Sequence, residues 1–192
     1  PLGDEEIAKT KEAYGLDPNG KFVVPPEAPK QFAATMGKRG AETRAAWEKL
    51  WADYQKKHPD LATELKQMWA HELPADWDSE LPVFPASEKG DATRNAGGKA
   101  LNALAKKVPW LLGGSADLTP SNNTKAKDMA DIKPGDFHGR YMRYGVREHG
   151  MAAILNGLSL HGGIRAYGST FLVFADYMRP SIRLAALMGL PV

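Results

Sequence analysis

The stretch Trp110-Leu111-Leu112-Gly113-Gly114-Ser115-Ala116-Asp117-Leu118-Thr119-Pro120-Ser121-Asn122 joins three apolar residues to a glycine-serine turn. The sequence around it repeats that grammar. Residues 110–112 read as a strand and residues 93–107 as the helix before it. Downstream, residues 142–146 and 164–170 read as strands, and residues 148–161 and 174–188 as helices. Strands that alternate with helices imply a parallel sheet, so the fold class is α/β. The chain ends at Leu190-Pro191-Val192, where a further strand would begin, and the sheet therefore reads as truncated.

Upstream the pattern is helical. Residues 4–14 start acidic after Gly3 and stop before Gly15, the expected polarity of a short helix. Phe22-Val23-Val24 fits a short strand, and Pro25, Pro26 and Pro29 point to an extended approach to the next helix. From Glu42 the chain reads as helix: Trp47, Leu50, Trp51 and Tyr54 recur at three-and-four spacing. After a break at His58-Pro59-Asp60, Leu61, Leu65, Met68 and Trp69 do the same. Tryptophans at that spacing are assigned to packing rather than ligand stacking. Residues 73–91 lose all periodicity and carry Pro74, Pro82 and Pro85, as an interdomain linker would. The expected organisation is residues 1–72, a linker over 73–91, and residues 92–192. The polar stretch 122–139 is long for a simple connection and reads as a mobile, functional excursion.

Composition narrows the function classes. Of 192 residues, 43% are hydrophobic and 25% charged, which is ordinary for a globular protein and argues against disorder. The absence of cysteine excludes disulfides, thiolate metal sites and cysteine nucleophiles. No apolar run approaches the roughly 18–20 residues of a membrane span. Pro-Leu-Gly-Asp-Glu-Glu at the start has no leader pattern and no initiator methionine, so the chain reads as a cut piece of a cytoplasmic protein. Charge is unevenly placed, with 12 basic against 16 acidic residues before Gly90 and 13 against 7 after it, or −4 and +6. A basic half attracts anions. Without a dense Lys/Arg run or a recognition motif, nucleic acid is disfavoured and a small anion favoured.

In an open parallel sheet, ligands gather outside the carboxyl ends of the strands. Three segments fall there: residues 113–122, Gly145-Val146-Arg147-Glu148-His149, and Gly168-Ser169-Thr170-Phe171-Leu172-Val173-Phe174. The first has ordinary turn composition and lacks both the P-loop and the dinucleotide fingerprint. In the second, Glu148 at a helix start suits the helix dipole, which is its default role. The helix behind it is apolar nearly all round, which would draw Glu148 into a low-dielectric site, where a carboxyl gains proton affinity. In the third, Phe171, Phe174 and Tyr177 share three-residue spacing, compatible with core packing or with a ring-stacking pocket.

Taken together, the run from Gly113 to Asn122, Tyr144-Gly145-Val146-Arg147-Glu148-His149-Gly150-Met151, and the run from Gly168 to Phe174 closely resemble transketolase, a thiamine diphosphate enzyme. The resemblance extends over the whole chain but covers only the middle of the longer family sequence. It implies that residues 1–72 are the helical end of a diphosphate-binding domain and residues 92–192 the first part of a parallel-sheet, pyrimidine-binding domain. It further implies transfer of a two-carbon ketol unit from a ketose phosphate to an aldose phosphate in the pentose phosphate pathway. Thiamine diphosphate and Mg2+ or another divalent cation would serve as cofactors, and the active site would lie between the subunits of a homodimer. Glu148 matches the position that contacts the pyrimidine nitrogen and serves as the catalytic residue. Phe171, Phe174 and Tyr177 match the aromatic pocket, and Asp117 and Leu118 a cofactor-contacting loop. Arg94 and Ser121 match sugar-phosphate positions. No role is given to His149.

The family's metal-and-diphosphate motif starts Gly-Asp-Gly, yet here Gly-Asp at residues 3, 90 and 135 is never followed by glycine. No metal ligands are expected in this chain, and the isolated piece is expected to be inactive. Two other readings stand beside this one. One is dihydroxyacetone synthase, with the same cofactor chemistry. The other is a non-catalytic module that keeps the fold for binding or assembly.

Overall fold

A computed structural model describes residues 2–192. The chain divides into two compact units, one ending at His58 and the other running from Pro59 to Val192.

The first unit is helical. Helix α1 (Asp4–Ala13) carries Asp4, Glu5 and Glu6 in its first turn and Lys11 in its last, matching the macrodipole at both ends. It stops at Gly15, whose φ of 70° lies in the left-handed region. Residues 22–24 form no strand: Phe22 turns the chain at a φ of 53°, and no second strand pairs with it. The prolines that read as extended chain instead open a helix, α2 (Glu27–Phe32). Pro29 sits in its first turn, where the missing N–H has no intrahelical acceptor to lose. A π turn (Ala33–Gly37) then leads into α3 (Lys38–Lys57), so helix begins well before Glu42. Along α3, Trp47 meets Trp51 edge-on at 5.6 Å, and Trp51 stacks on Tyr54 at 5.7 Å. None of these helices buries a residue.

The second unit begins with α4 (Pro59–Trp69), with proline at its first position. Residues 70–92 contain turns but no helix or strand. They are tied to α5 (Thr93–Lys107) by Lys107, which pairs with Asp76 at 2.6 Å. Next come β1 (Leu111–Ser115), the short α6 (Thr119–Asn122), β2 (Tyr141–Arg143), α7 (Glu148–His161), β3 (Arg165–Ser169), a 3-10 turn (Leu172–Phe174) and α8 (Ala175–Met188). The three strands are parallel in the order β2-β1-β3. The glycines that read as a turn lie inside β1. They are needed there, because a Cβ on Gly113 or Gly114 would fall on the Tyr167 or Met142 carbonyl of the adjoining strand.

Each sheet face has its own core. On one, Ala105, Val108, Trp110, Leu111 and Tyr141 pack with Ala126 and Met129. On the other, Ala116, Tyr144, Met151, Leu155 and Ala166 pack under α7. The polar excursion expected to be mobile is pinned, because its few apolar residues reach the core. Asp131 pairs with Lys125 at 2.6 Å and Arg143 at 2.8 Å, and the Tyr167 hydroxyl donates to the Thr124 carbonyl at 2.9 Å. Just past the excursion, Arg140 Nη1 donates to the carbonyls of Ala105, Val108 and Pro109, at the end of α5 and just beyond it. No helix among the described residues is long and apolar enough to cross a membrane.

Candidate functional site

Order β2-β1-β3 places the start of the sheet at its centre, so the connections leaving β1 and β3 diverge at their carboxyl ends. Such a switch point opens a crevice, and two cavities occur there. The first, about 480 Å³, is lined by Ala116, Asp117, Leu118, Val146, Glu148, Phe174 and Tyr177. The second, about 640 Å³, includes Arg94, Asn122, Thr124, Ser169, Thr170 and Phe171 in its lining.

The first cavity brings together five of the expected residues. Glu148 opens α7 and is buried at 8% exposure. No hydrogen bond or ion pair from the described residues reaches its carboxylate. Arg147 beside it turns back, Nη1 donating to the Tyr144 carbonyl at 3.0 Å, and so does not neutralise Glu148. Phe174 and Tyr177 stack at 6.4 Å with 27° between their rings. Asp117 takes a left-handed φ of 61°, which reverses the chain directly after β1.

Phe171 lies elsewhere. Of the three aromatic residues expected to converge, only Phe174 and Tyr177 share the Glu148 cavity, whereas Phe171 lines the second one with Arg94. The 3-10 turn separates them: Phe171 precedes it in extended conformation, and Phe174 ends it. Arg94 and Ser121 are both exposed and no hydrogen bond joins them, although Ser121's neighbour Asn122 lines Arg94's cavity.

A buried polar network between the cavities had not been singled out in the sequence. Asn122, 6% exposed, donates from Nδ2 to Ser115 Oγ at 2.9 Å and to Ser169 Oγ at 3.1 Å. Its Oδ1 accepts from Thr124 Oγ1 at 2.5 Å. The signal was available in two serines closing consecutive sheet neighbours, but hydroxyls after glycine read equally well as turn residues. Under the sheet, the Tyr144 hydroxyl is buried without a partner, and burial pushes it up to about 12. Hydrogen bonds from Lys125 and then Arg143 hold Asp131 below the usual carboxylate range.

The lining fits part of a flat, nitrogen-bearing ring: a buried carboxyl without a partner among the described residues, two aromatic faces, and a strand-end loop. No group of three or more His, Asp or Glu that could hold a metal ion occurs among the described residues. An α/β ligand-binding domain with its site at the switch point is the class that this fold and these cavities define. The chain belongs to the transketolase family: residues 89–192 match the transketolase pyrimidine-binding domain, and residues 1–74 the transketolase thiamine diphosphate-binding domain. It is 48% identical to the transketolase of Geobacillus stearothermophilus and 42% identical to transketolase 1 of Saccharomyces cerevisiae. In both comparisons all of this chain is covered, but only 29% of the relative. A transketolase structure from Pichia stipitis in complex with sedoheptulose 7-phosphate superposes with a TM-score of 0.87 at 39% identity, over 100% of this chain and 29% of that one. The chain therefore spans less than a third of the length of these relatives.

Proposed function

We propose that this chain forms part of a transketolase that moves a two-carbon ketol unit from a ketose phosphate to an aldose phosphate in the pentose phosphate pathway. Residues 1–72 end its diphosphate-binding domain, residues 73–91 link, and residues 92–192 begin its pyrimidine-binding domain. The cofactor would be thiamine diphosphate with Mg2+ or another divalent cation, the metal being held outside this chain. The working enzyme would be a cytoplasmic homodimer. The observation that carries this reading is the Glu148 cavity, where a buried carboxyl without a partner shares its walls with the Phe174–Tyr177 stack.

Thiamine diphosphate supplies, when bound, a carbon able to hold the electron pair released in ketol transfer. The protein's part is positional and acid-base. Glu148 would share a proton with a ring nitrogen of the pyrimidine. Phe174, Tyr177, Asp117 and Leu118, which line the Glu148 cavity, would hold that ring, and Phe171 would reach it only from the Arg94 cavity that it lines. Arg94 and Ser121 hold the sugar phosphate, since a guanidinium fork and a hydroxyl match phosphate oxygens. Positive charge in this half of the chain favours the same anion.

The test is Glu148→Gln in the full-length protein, followed by hydrogen-deuterium exchange at the reactive carbon of bound cofactor. General acid-base roles contribute about 10²–10⁴-fold, so exchange should slow by that order while cofactor binding largely persists. A near-normal rate would leave Glu148 as a helix-dipole residue.

A further inference from the structure

We propose that Asn122 is a positioning residue that clamps the switch point and sets the spacing between the Glu148 cavity and the Arg94 cavity. The inference rests on the reading of those cavities given above, as cofactor and sugar-phosphate sites.

Asn122 spans what the topology pulls apart. Ser115 is the last residue of β1 and Ser169 the last of β3, and they face each other in the sheet register. Beyond them the chain diverges, and the Asn122 amide holds both hydroxyls from one nitrogen. Ser115 Oγ accepts a second hydrogen bond, from the Leu118 backbone N–H at 3.2 Å. The Leu118 carbonyl in turn accepts from the backbone N–H groups of Ser121 and Asn122 at 2.9 and 3.0 Å. One closed circuit therefore fixes Leu118, which lines the first cavity, and Ser121, the proposed phosphate ligand. The same Asn122 side chain is part of the second cavity's wall.

The residue type follows from this geometry. Two donors from one nitrogen and one acceptor oxygen are what a primary amide offers. Ser115, Ser169 and Thr124 use all three. A leucine has nearly the same shape but takes this partner from the buried Ser115 hydroxyl and from the half-buried Ser169 and Thr124 hydroxyls, and polar groups left unsatisfied cost more than the net worth of the bonds. The loop also needs holding, because it is bracketed by two left-handed non-glycine residues, Asp117 at φ 61° and Asn123 at φ 55°. Such residues persist only where surrounding contacts over-determine them.

A clamp makes a prediction that neither direct ligand contact nor plain stability makes. Ser115 is 1% exposed and lines neither cavity, so its hydroxyl can influence ligands only through the loop. In the full-length protein, Asn122→Leu and Ser115→Ala should each weaken thiamine diphosphate binding, measured calorimetrically with Mg2+ in excess. The same two variants should raise KM for a ketose phosphate by a similar factor. One or two net hydrogen bonds correspond to about fivefold to thirtyfold. Amide exchange over residues 115–124 of the cofactor-free protein should accelerate in both variants. Adding Ser115→Ala to Asn122→Leu should bring little further loss.

If one of the two affinities shifts alone, or only thermal stability falls, the clamp is overturned. Arg94→Ala and Glu148→Gln separate the two levels of inference. If Arg94→Ala raises KM for the ketose phosphate and Glu148→Gln slows exchange at the cofactor carbon while Asn122→Leu and Ser115→Ala match wild type, the clamp alone falls. If all four variants match wild type, the assignment of the cavities falls and the clamp goes with it.

Discussion

Met151 is wholly buried, and its position against Gly168 permits a test of what holds Glu148 in place. It lies one turn along α7 from Glu148, inside the core that α7 forms with β3. Met151→Ala empties a fully enclosed site and should cost about 2–5 kcal/mol, as buried methionines typically do. Gly168→Ala works in the opposite direction. Its new Cβ would lie 3.2 Å from Met151 Sδ and 3.4 Å from Met151 Cε, and closer still to Leu155 Cδ1, an overpacking that costs about 1–3 kcal/mol. The two faults are complementary, because Leu155 Cδ1, the atom that the new methyl meets hardest, can swing into the space that the shortened residue 151 vacates. The double variant should therefore be less destabilised than the two single costs combined, with a coupling of about 0.5–3 kcal/mol. Hydrogen exchange in peptides of α7 and β3 of the full-length protein reads this locally, about 1.4 kcal/mol per tenfold change in protection. Strict additivity, or a double variant worse than additive, would refute the packing argument.

Arg94→Ala in the full-length enzyme should raise KM for phosphorylated donors far more than for an unphosphorylated ketose, and an equal loss for both would remove the phosphate role. The chain by itself should bind thiamine diphosphate weakly with or without Mg2+, and tight metal-dependent binding in a titration would contradict the placement of the metal outside it. Asp131 has its pKa lowered from 3.8 by Lys125 and Arg143, so its pairs stabilise the 122–139 segment above that pH and are lost as pH falls further. Pepsin digestion as the pH is lowered from about 4 should then cut this segment progressively in the wild type and already at the start in Asp131→Asn; identical cleavage would deny Asp131 that role.

The second unit was legible where local chemistry and tertiary structure agree. The helices at Thr93–Lys107 and Glu148–His161 appear with the expected bounds, since their apolar faces are the ones that cover the sheet. Gly113 and Gly114 misled because glycine marks turns by its backbone freedom, whereas here it serves close strand approach, which only the partner strands reveal. The start of α3 was hidden by residues 27–41, which offer no apolar stripe on which periodicity could register. At the site, residue types pointed to the strand ends where the two cavities lie, but sequence spacing could not show that a 3-10 turn would send Phe171 and Phe174 to different cavities. Asn122 was invisible for a related reason. Its three partners lie 7, 47 and 2 residues away, and only the strand register makes them neighbours.

The central place of β1 also bears on how the domain is made. During synthesis β1 leaves the ribosome first, yet its two neighbours are β2 and, about fifty residues later, β3. At about 5–20 residues per second, β1 waits about 1–5 s with both edges unpaired and about 2.5–10 s until the second edge can pair. Its sequence is suited to that delay: Gly113, Gly114 and Ser115 make more than half of it poor in β-propensity and in apolar surface. The glycines that let neighbouring strands close in the native sheet thus also make the waiting strand a weak template for mispairing between nascent chains.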